Sequence, residues 1–214
     1  MGGSNRLLIG CTINLPGYTS FIHKELKKMR IVAGEFRSRV IKAVEGNGTR
    51  PTTDKVKEAI FSRIGPYFDG GVMLDLFGGS GNMSFEAISR GITRSVLCDR
   101  DGKAIRVIKE NAKSLNIEER CTILKMDYHR VLTHVREQGL RFDLVFLDPP
   151  YKKQQIHEIL RILDEYDLVK EDGDVVCESQ KEDVFADQIG SFEKVKDVTY
   201  GITRITYYKK RGSL

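Results

Sequence analysis

From residue 71 onward the chain alternates short apolar runs with amphipathic stretches, and that alternation restricts the fold more than any other feature. The runs cover 72–77, 95–98, 121–125, 144–147 and 175–178. Between and after them lie stretches of helical periodicity at about 83–90, 103–116, 128–138 and 156–166, with a weaker one at 181–189. An apolar run that does not alternate with polar residues is a strand covered on both faces, as in a parallel sheet. Strand–helix alternation therefore predicts a doubly wound α/β layer. The tail breaks the pattern. Residues 192–198 and 202–208 alternate around Tyr200-Gly201, a hairpin signal. The expected sheet has seven strands, mostly parallel, and ends in an antiparallel C-terminal hairpin.

The chain before this layer reads differently. Residues 30–44 alternate around Gly34 and predict a short β-hairpin. Gly46-Asn47-Gly48 is a turn, and Thr52-Thr53-Asp54 caps a helix over about 54–64. Val56, Ala59, Ile60 and Ile64 share one face of that helix, and Gly65-Pro66 ends it. Three units are expected: an extension over 1–28, a hairpin-and-helix module over 29–68, and a cofactor-binding layer over 69–214. The extension opens on the linker-like Met1-Gly2-Gly3-Ser4, and its apolar stretch is broken by Asn14, Pro16, Gly17 and Thr19. It makes a poor signal peptide and is expected to pack loosely, with Met29 as a natural start.

Composition excludes several classes. No run of about 18 apolar residues exists, so no membrane helix is expected. The four cysteines, Cys11, Cys98, Cys121 and Cys177, lack C-x-x-C spacing and have no histidine at ligand spacing. Zinc and disulfide frameworks are therefore not expected. Cysteines inside apolar runs read as reduced core residues, which points to the cytoplasm. The net charge is +5, from 35 Lys and Arg against 30 acids. Its distribution says more than its sum. Residues 29–68 carry eight bases and four acids, whereas 69–214 carry 23 and 25. A basic module thus precedes a slightly acidic layer.

The first parallel run ends in Leu74-Asp75-Leu76-Phe77-Gly78-Gly79-Ser80-Gly81-Asn82. A glycine loop between a buried strand and a helix N-terminus builds a nucleotide crevice. The spacing G-G-x-G is not the G-x-G-x-x-G of dinucleotide sites, and Asp75 stands inside the strand. A phosphate cradle avoids a carboxylate there, whereas a cofactor carrying an ammonium and no phosphate welcomes one. S-adenosylmethionine has that character. Asp99, followed by Arg100, ends the second run and is placed to accept from ribose hydroxyls. Asp127 ends the third and is placed to accept from an adenine amino group.

Phe146-Leu147-Asp148-Pro149-Pro150-Tyr151 closes the fourth run. Two prolines fix the backbone and remove two N–H donors. The remaining acceptors, the Asp148 carboxylate with the Asp148 and Pro149 carbonyls, suit an exocyclic amino group. They hold its protons and aim its lone pair. Tyr151 offers a face for a base, a contact worth about 1–3 kcal/mol.

Together, Asp75 with Gly78-Gly79-Ser80-Gly81, Asp99, Asp127 and Asp148-Pro149-Pro150-Tyr151 resemble class I S-adenosylmethionine methyltransferases of the amino-methylating type. Arg30-Ile31-Val32-Ala33-Gly34-Glu35-Phe36-Arg37-Ser38-Arg39 and the segment from Thr49-Arg50-Pro51-Thr52 to Phe61 resemble the RsmD family, bacterial enzymes that methylate guanine N2 in 16S ribosomal RNA. The resemblance runs from Met29 to about Lys210. It implies a Rossmann-like fold. Phe77 and the glycine loop would flank the cofactor's methionine and ribose, and Asp99 would take the ribose hydroxyls. Asp127 and Tyr128 would bound the adenine, with Arg50 and Thr52 near the cofactor carboxylate. Asp148 to Tyr151 would grip the guanine.

The basic residues Arg30, Arg37, Arg39, Lys55 and Lys57 lie on or beside the N-terminal hairpin and helix, and Lys152 and Lys153 follow Tyr151 directly. All are candidates for phosphate contact. The expected partner is 16S rRNA or a small-subunit assembly intermediate, with no membrane and a monomeric enzyme. Two other readings remain: amino-group methylation of DNA adenine or protein glutamine, and a catalytically idle RNA-binding assembly factor. The intact Asp148-Pro149-Pro150-Tyr151 speaks against the last.

Overall fold

A computed structural model describes residues 29–45, 52–150 and 152–212. The extension and the Gly46-Asn47-Gly48 turn lie outside the described residues.

Two strands, β1 (Met29–Arg30) and β2 (Val40–Ile41), pair antiparallel and precede helix α1 (Asp54–Ile64). The layer then runs β3 (Val72–Asp75), α2 (Asn82–Ser89), β4 (Arg94–Asp99), α3 (Gly102–Leu115), β5 (Cys121–Lys125), α4 (Tyr128–Glu137), β6 (Phe142–Leu147), α5 (Lys152–Glu165) and β7 (Val169–Gln180). It ends in β8 (Gln188–Ile189), β9 (Phe192–Tyr200) and β10 (Thr203–Lys210). The main sheet has the order β5-β4-β3-β6-β7-β10-β9-β8. Strands β5 to β7 in that order are parallel, and the rest join antiparallel. This is the mostly parallel sheet with a C-terminal hairpin that the pattern predicts, with one strand more than expected. The addition is the two-residue β8 at the edge.

Side chains of alternating residues feed two core layers. Met73, Leu97, Phe146 and Val176 face one layer together with Ile31, Ile60 and Phe61 of the N-terminal module. Leu74, Val96, Cys98, Leu147 and Cys177 face the other, against α4 and α5. The module therefore packs on one face of the sheet.

Two expectations are corrected. Residues 181–189 form no helix. Phe185 and Ile189 have helical spacing and are both buried, but from an irregular segment ending in β8. The tertiary structure supplies partners to carbonyls that a helix would bond internally. Tyr208 donates its hydroxyl to the Ala186 carbonyl at 2.7 Å, and Lys194 Nζ donates to that of Phe185 at 2.9 Å. The N-terminal hairpin, in turn, shrinks to two residues per strand. Four of its other N–H groups bond to α2: Val32 and Ala33 donate to the Glu86 carboxylate at 2.7 and 3.0 Å, Glu35 to the Ser89 carbonyl at 2.8 Å and Phe36 to Ser89 Oγ at 2.9 Å, while Ile31, Arg37, Ser38 and Arg39 bond within the hairpin. Gly34 makes this docking possible. At φ +83°, a Cβ there would stand 1.8 Å from the Ser89 carbonyl oxygen.

Among the described residues no helix is long and apolar enough to cross a membrane.

Candidate active site

Strand order reverses at β3, whose neighbours are β4 and β6. Ligands of open α/β sheets bind beyond the carboxyl ends of the strands at such a point. Acids stand there in a row: Asp99 on β4, Asp75 on β3, Asp148 after β6 and Glu178 in β7. Met73, Leu97, Phe146 and Val176 all face the core layer shared with the N-terminal module. Two residues further along their strands, Asp75, Asp99 and Glu178 point to that same face, and Asp148, just past β6, lies near Asp75.

Asp75 is only 2% exposed. Its Oδ2 accepts from Ser84 Oγ at 3.0 Å, and Ser84 in turn accepts from Ser95 Oγ at 2.9 Å. Its Oδ1 is buried with no hydrogen-bond partner among the described residues. Burial pushes the carboxyl up to about 7. The Ser84 hydroxyl and the nearby Phe77 N–H offset this in part, while the carboxylates of Asp99 and Asp148 add to it. A buried acceptor of this kind is costly unless a ligand completes it. An ammonium does so; a phosphate would make it worse. The open acceptor thus fits the amino group of a cofactor that carries a free amino-acid moiety.

The glycine loop is tied down by its own backbone. Gly78 N–H donates to the Cys98 carbonyl at 2.8 Å, and Gly81 N–H to the Gly78 carbonyl at 2.7 Å. Gly81 has φ +81°, and a Cβ there would meet the Phe85 ring at 2.3 Å. The Ser80 carbonyl accepts from Asn111 Nδ2 at 2.9 Å. Asp99 is half-buried. It accepts from Gly79 N–H at 3.0 Å and Asp101 N–H at 2.8 Å, so it braces the loop as well as facing the crevice. Burial still raises its pKa, against those two N–H groups.

Asp127 is exposed and caps α4 by accepting from Arg130 N–H at 3.2 Å. Tyr128 packs near Phe77, ring centroids 6.0 Å apart, and donates its hydroxyl to Glu158 on α5 at 3.1 Å. Two residues predicted for opposite ends of a cofactor thus form one aromatic wall. Arg100 is exposed beside Asp99. Asp148 is half-buried, Pro149 buried and Pro150 exposed. Arg50, Tyr151 and the side chains of Lys152 and Lys153 lie outside the described residues. The Thr52 hydroxyl donates to Glu178 Oε2 at 2.7 Å. Glu178 escaped the sequence reading, although it stands near the carboxyl end of a buried strand as the other acids do.

Of the basic set, Arg30, Arg37, Arg39 and Lys55 are exposed. Arg30 pairs with Asp54 at 2.8 Å, and Arg39 donates to the Ser114 carbonyl. Lys57 is a correction: it is fully buried and cannot meet a phosphate. Its Nζ lies 3.1 Å from Glu86 Oε2 and donates to the Arg30 carbonyl at 2.6 Å and to Asn82 Oδ1 at 2.7 Å. Burial lowers its pKa, with Glu86 opposing. Arg90 completes the cluster at 2.8 Å from Glu86. A signal was present: Lys57 shares a helix face with Ile60, Phe61 and Ile64. Among the described residues no group of His, Cys, Asp and Glu could hold a metal ion.

A crevice at the reversal point of a mostly parallel sheet, floored by a glycine loop and lined by strand-end acids, defines the class I methyltransferase architecture. The family model described as conserved hypothetical protein 95 matches residues 29–209, and the chain belongs to this, the RsmD, family. It is 45% identical over 184 residues to "Putative rRNA methyltransferase YlbH" of Bacillus subtilis, covering 86% of this chain and all of that one. To "Ribosomal RNA small subunit methyltransferase D" of Haemophilus influenzae it is 31% identical over 156 residues, 72% of this chain and 80% of the relative. The crystal structure titled "putative methylase HI0767", also from Haemophilus influenzae, superposes with a TM-score of 0.71 at 26% identity, covering 86% of this chain and 99% of that one.

Proposed function

We propose that this chain transfers a methyl group from S-adenosylmethionine to the exocyclic N2 of a guanine in 16S ribosomal RNA. The observation that carries the cofactor half is the buried, half-satisfied Asp75 carboxylate at the strand reversal point. The relatives named for rRNA methylation support the substrate class.

When bound, the cofactor supplies a sulfonium methyl already activated for attack, so the protein's task is to hold and orient. Asp75 accepts from the amino group of the cofactor's methionine part. Asp99 accepts from the ribose hydroxyls, and the Phe77–Tyr128 wall with Asp127 bounds the adenine. Asp148 and the two proline-locked carbonyls accept the amino protons of the base and aim the nitrogen lone pair. Asp148 then takes up the proton that the nitrogen loses. Tyr151 stacks on the base. Arg30, Arg37, Arg39, Lys55, Lys152 and Lys153 contact phosphates, with Arg50 beside the crevice. Buried reduced cysteines such as Cys98 and Cys177 support a cytoplasmic enzyme.

The test is to incubate small subunits, or their RNA, from cells lacking the enzyme with methyl-labelled cofactor, followed by nucleoside mass spectrometry. Label in N2-methylguanosine supports the reading. Label on another nucleoside, or on duplex DNA only, refutes it.

A further inference from the structure

Glu178 is a buried acid that the methyl-transfer scheme above does not use. It is 5% exposed. β6 and β7 pair in parallel with Leu147 opposite Cys177. Asp148 follows β6 directly and Glu178 follows Cys177 within β7, so the register brings the two acids to neighbouring positions where β6 ends. Val176, two residues earlier on β7, faces the core layer shared with the N-terminal module, so Glu178 points to that face, and Asp148 is close enough to Asp75 for its charge to raise that buried carboxyl's pKa. The Thr52 hydroxyl donates to Glu178 Oε2 at 2.7 Å. That bond reaches from the N-terminal module into the sheet and fixes the carboxylate's orientation. A carboxylate offers about four lone-pair sites, so an oxygen that already takes one donor can take another.

A side-by-side pair of acceptors matches one kind of base edge. Guanine presents two adjacent donors, its 2-amino group and its N1–H. Adenine and cytosine present an amino group beside a bare ring nitrogen, whose lone pair would face the second carboxylate and be repelled. We propose that Glu178 is the specificity-determining residue, accepting the N1–H of the guanine whose 2-amino group Asp148 holds. This rests on the guanine-N2 reading. Asp148 serves the reaction at the amino nitrogen, and Glu178 selects the base that brings it. Thr52 acts through Glu178 as a positioning residue.

The test compares target RNA carrying guanine with the same RNA carrying 2-aminopurine at the methylated position. 2-Aminopurine keeps the amino group but has a bare N1. A site built to bond a donor rejects an analogue lacking it strongly, so the wild type should prefer guanine by about a hundredfold or more in kcat/KM. Glu178→Gln should narrow the preference to under about tenfold, because a carboxamide can accept N1–H or, turned over, donate to a bare N1. Thr52→Val should lower kcat/KM on guanine while S-adenosylhomocysteine binding persists. The ratio is taken on one preparation, so any loss of folded protein cancels. A Glu178→Gln enzyme that keeps the wild-type preference overturns the proposal and leaves the guanine-N2 reading standing. A wild type that forms no N2-methylguanosine overturns both.

Discussion

Asp75→Asn should stabilise the free protein at neutral and alkaline pH while weakening its hold on the cofactor. Burial moves the Asp75 carboxyl from 3.8 to about 7. The folded pKa lies above the unfolded one, so between them the folded chain keeps a proton that the unfolded chain has released. Stability therefore falls as pH rises through that window. At about 1.4 kcal/mol per unit, the full loss approaches roughly 4 kcal/mol, and about 3 kcal/mol of it develops between pH 5 and pH 8. Asparagine has the same shape, keeps an acceptor for Ser84 and does not titrate. The stability difference between variant and wild type should widen in the variant's favour by about 3 kcal/mol from pH 5 to pH 8. For a domain of this size that is a shift in Tm of roughly 6–12 °C. Thermal denaturation of the ligand-free proteins in matched buffers measures it. Calorimetry with S-adenosylmethionine should show the converse: wild-type affinity climbs with pH up to about 7, whereas the variant binds at least about tenfold more weakly with a flatter profile. Parallel stability–pH curves for the two proteins would refute the reasoning, because they would mean that Asp75 does not titrate in this range.

Four further outcomes are expected. Asp99→Ala removes a charged acceptor from the crevice and the brace on Gly79, so cofactor affinity should fall about 10–100-fold with a smaller change in kcat at saturation. Asp148→Ala should abolish methyl transfer while S-adenosylhomocysteine binding stays within a few fold, as separate binding and turnover assays would establish. Lys57→Ala leaves Glu86 buried beside one cation fewer and should cost about 3–5 kcal/mol in chemical denaturation. Arg37→Ala and Lys55→Ala should each weaken RNA binding across sequences and lower the salt slope by about one, read from filter binding over a salt series.

The Lys57 cluster explains why the N-terminal module is part of the enzyme's working layer. Lys57 bonds to Asn82, the first residue after the glycine loop, and Asn111 joins Ser80 of that loop to the Lys42 carbonyl at 3.0 Å. The module proposed to meet RNA is thus wired to the loop proposed to hold the cofactor. Both connections run through polar atoms that sequence patterning treats as surface, since Lys and Asn are rarely buried. A lysine on an apolar helix face is a legible anomaly; the partner that neutralises it is not.

The sequence by itself determined the alternation of strands and helices and which acids and glycines stand near the carboxyl ends of the strands, though β7 runs over Val169–Gln180 rather than 175–178. Continuous apolar runs can be satisfied only by strands covered on both sides, and the Gly-rich and Pro-Pro segments stand where such runs must stop. Local chemistry suffices for that inference because periodicity and backbone restriction are properties of neighbours in the chain. Only the tertiary structure decided the rest. It refused a helix to 181–189 because Tyr208 and Lys194 offered those carbonyls better partners. It cut the N-terminal hairpin to two residues a strand because Glu86 and Ser89 claimed the N–H groups of Val32, Ala33, Glu35 and Phe36. It buried Lys57, left one oxygen of Asp75 without a hydrogen-bond partner among the described residues, and joined Glu178 to the Thr52 hydroxyl. Each of these outcomes is a competition between a local bond and a distant one. Its winner depends on which groups the fold brings within about 3 Å, a distance no sequence spacing encodes.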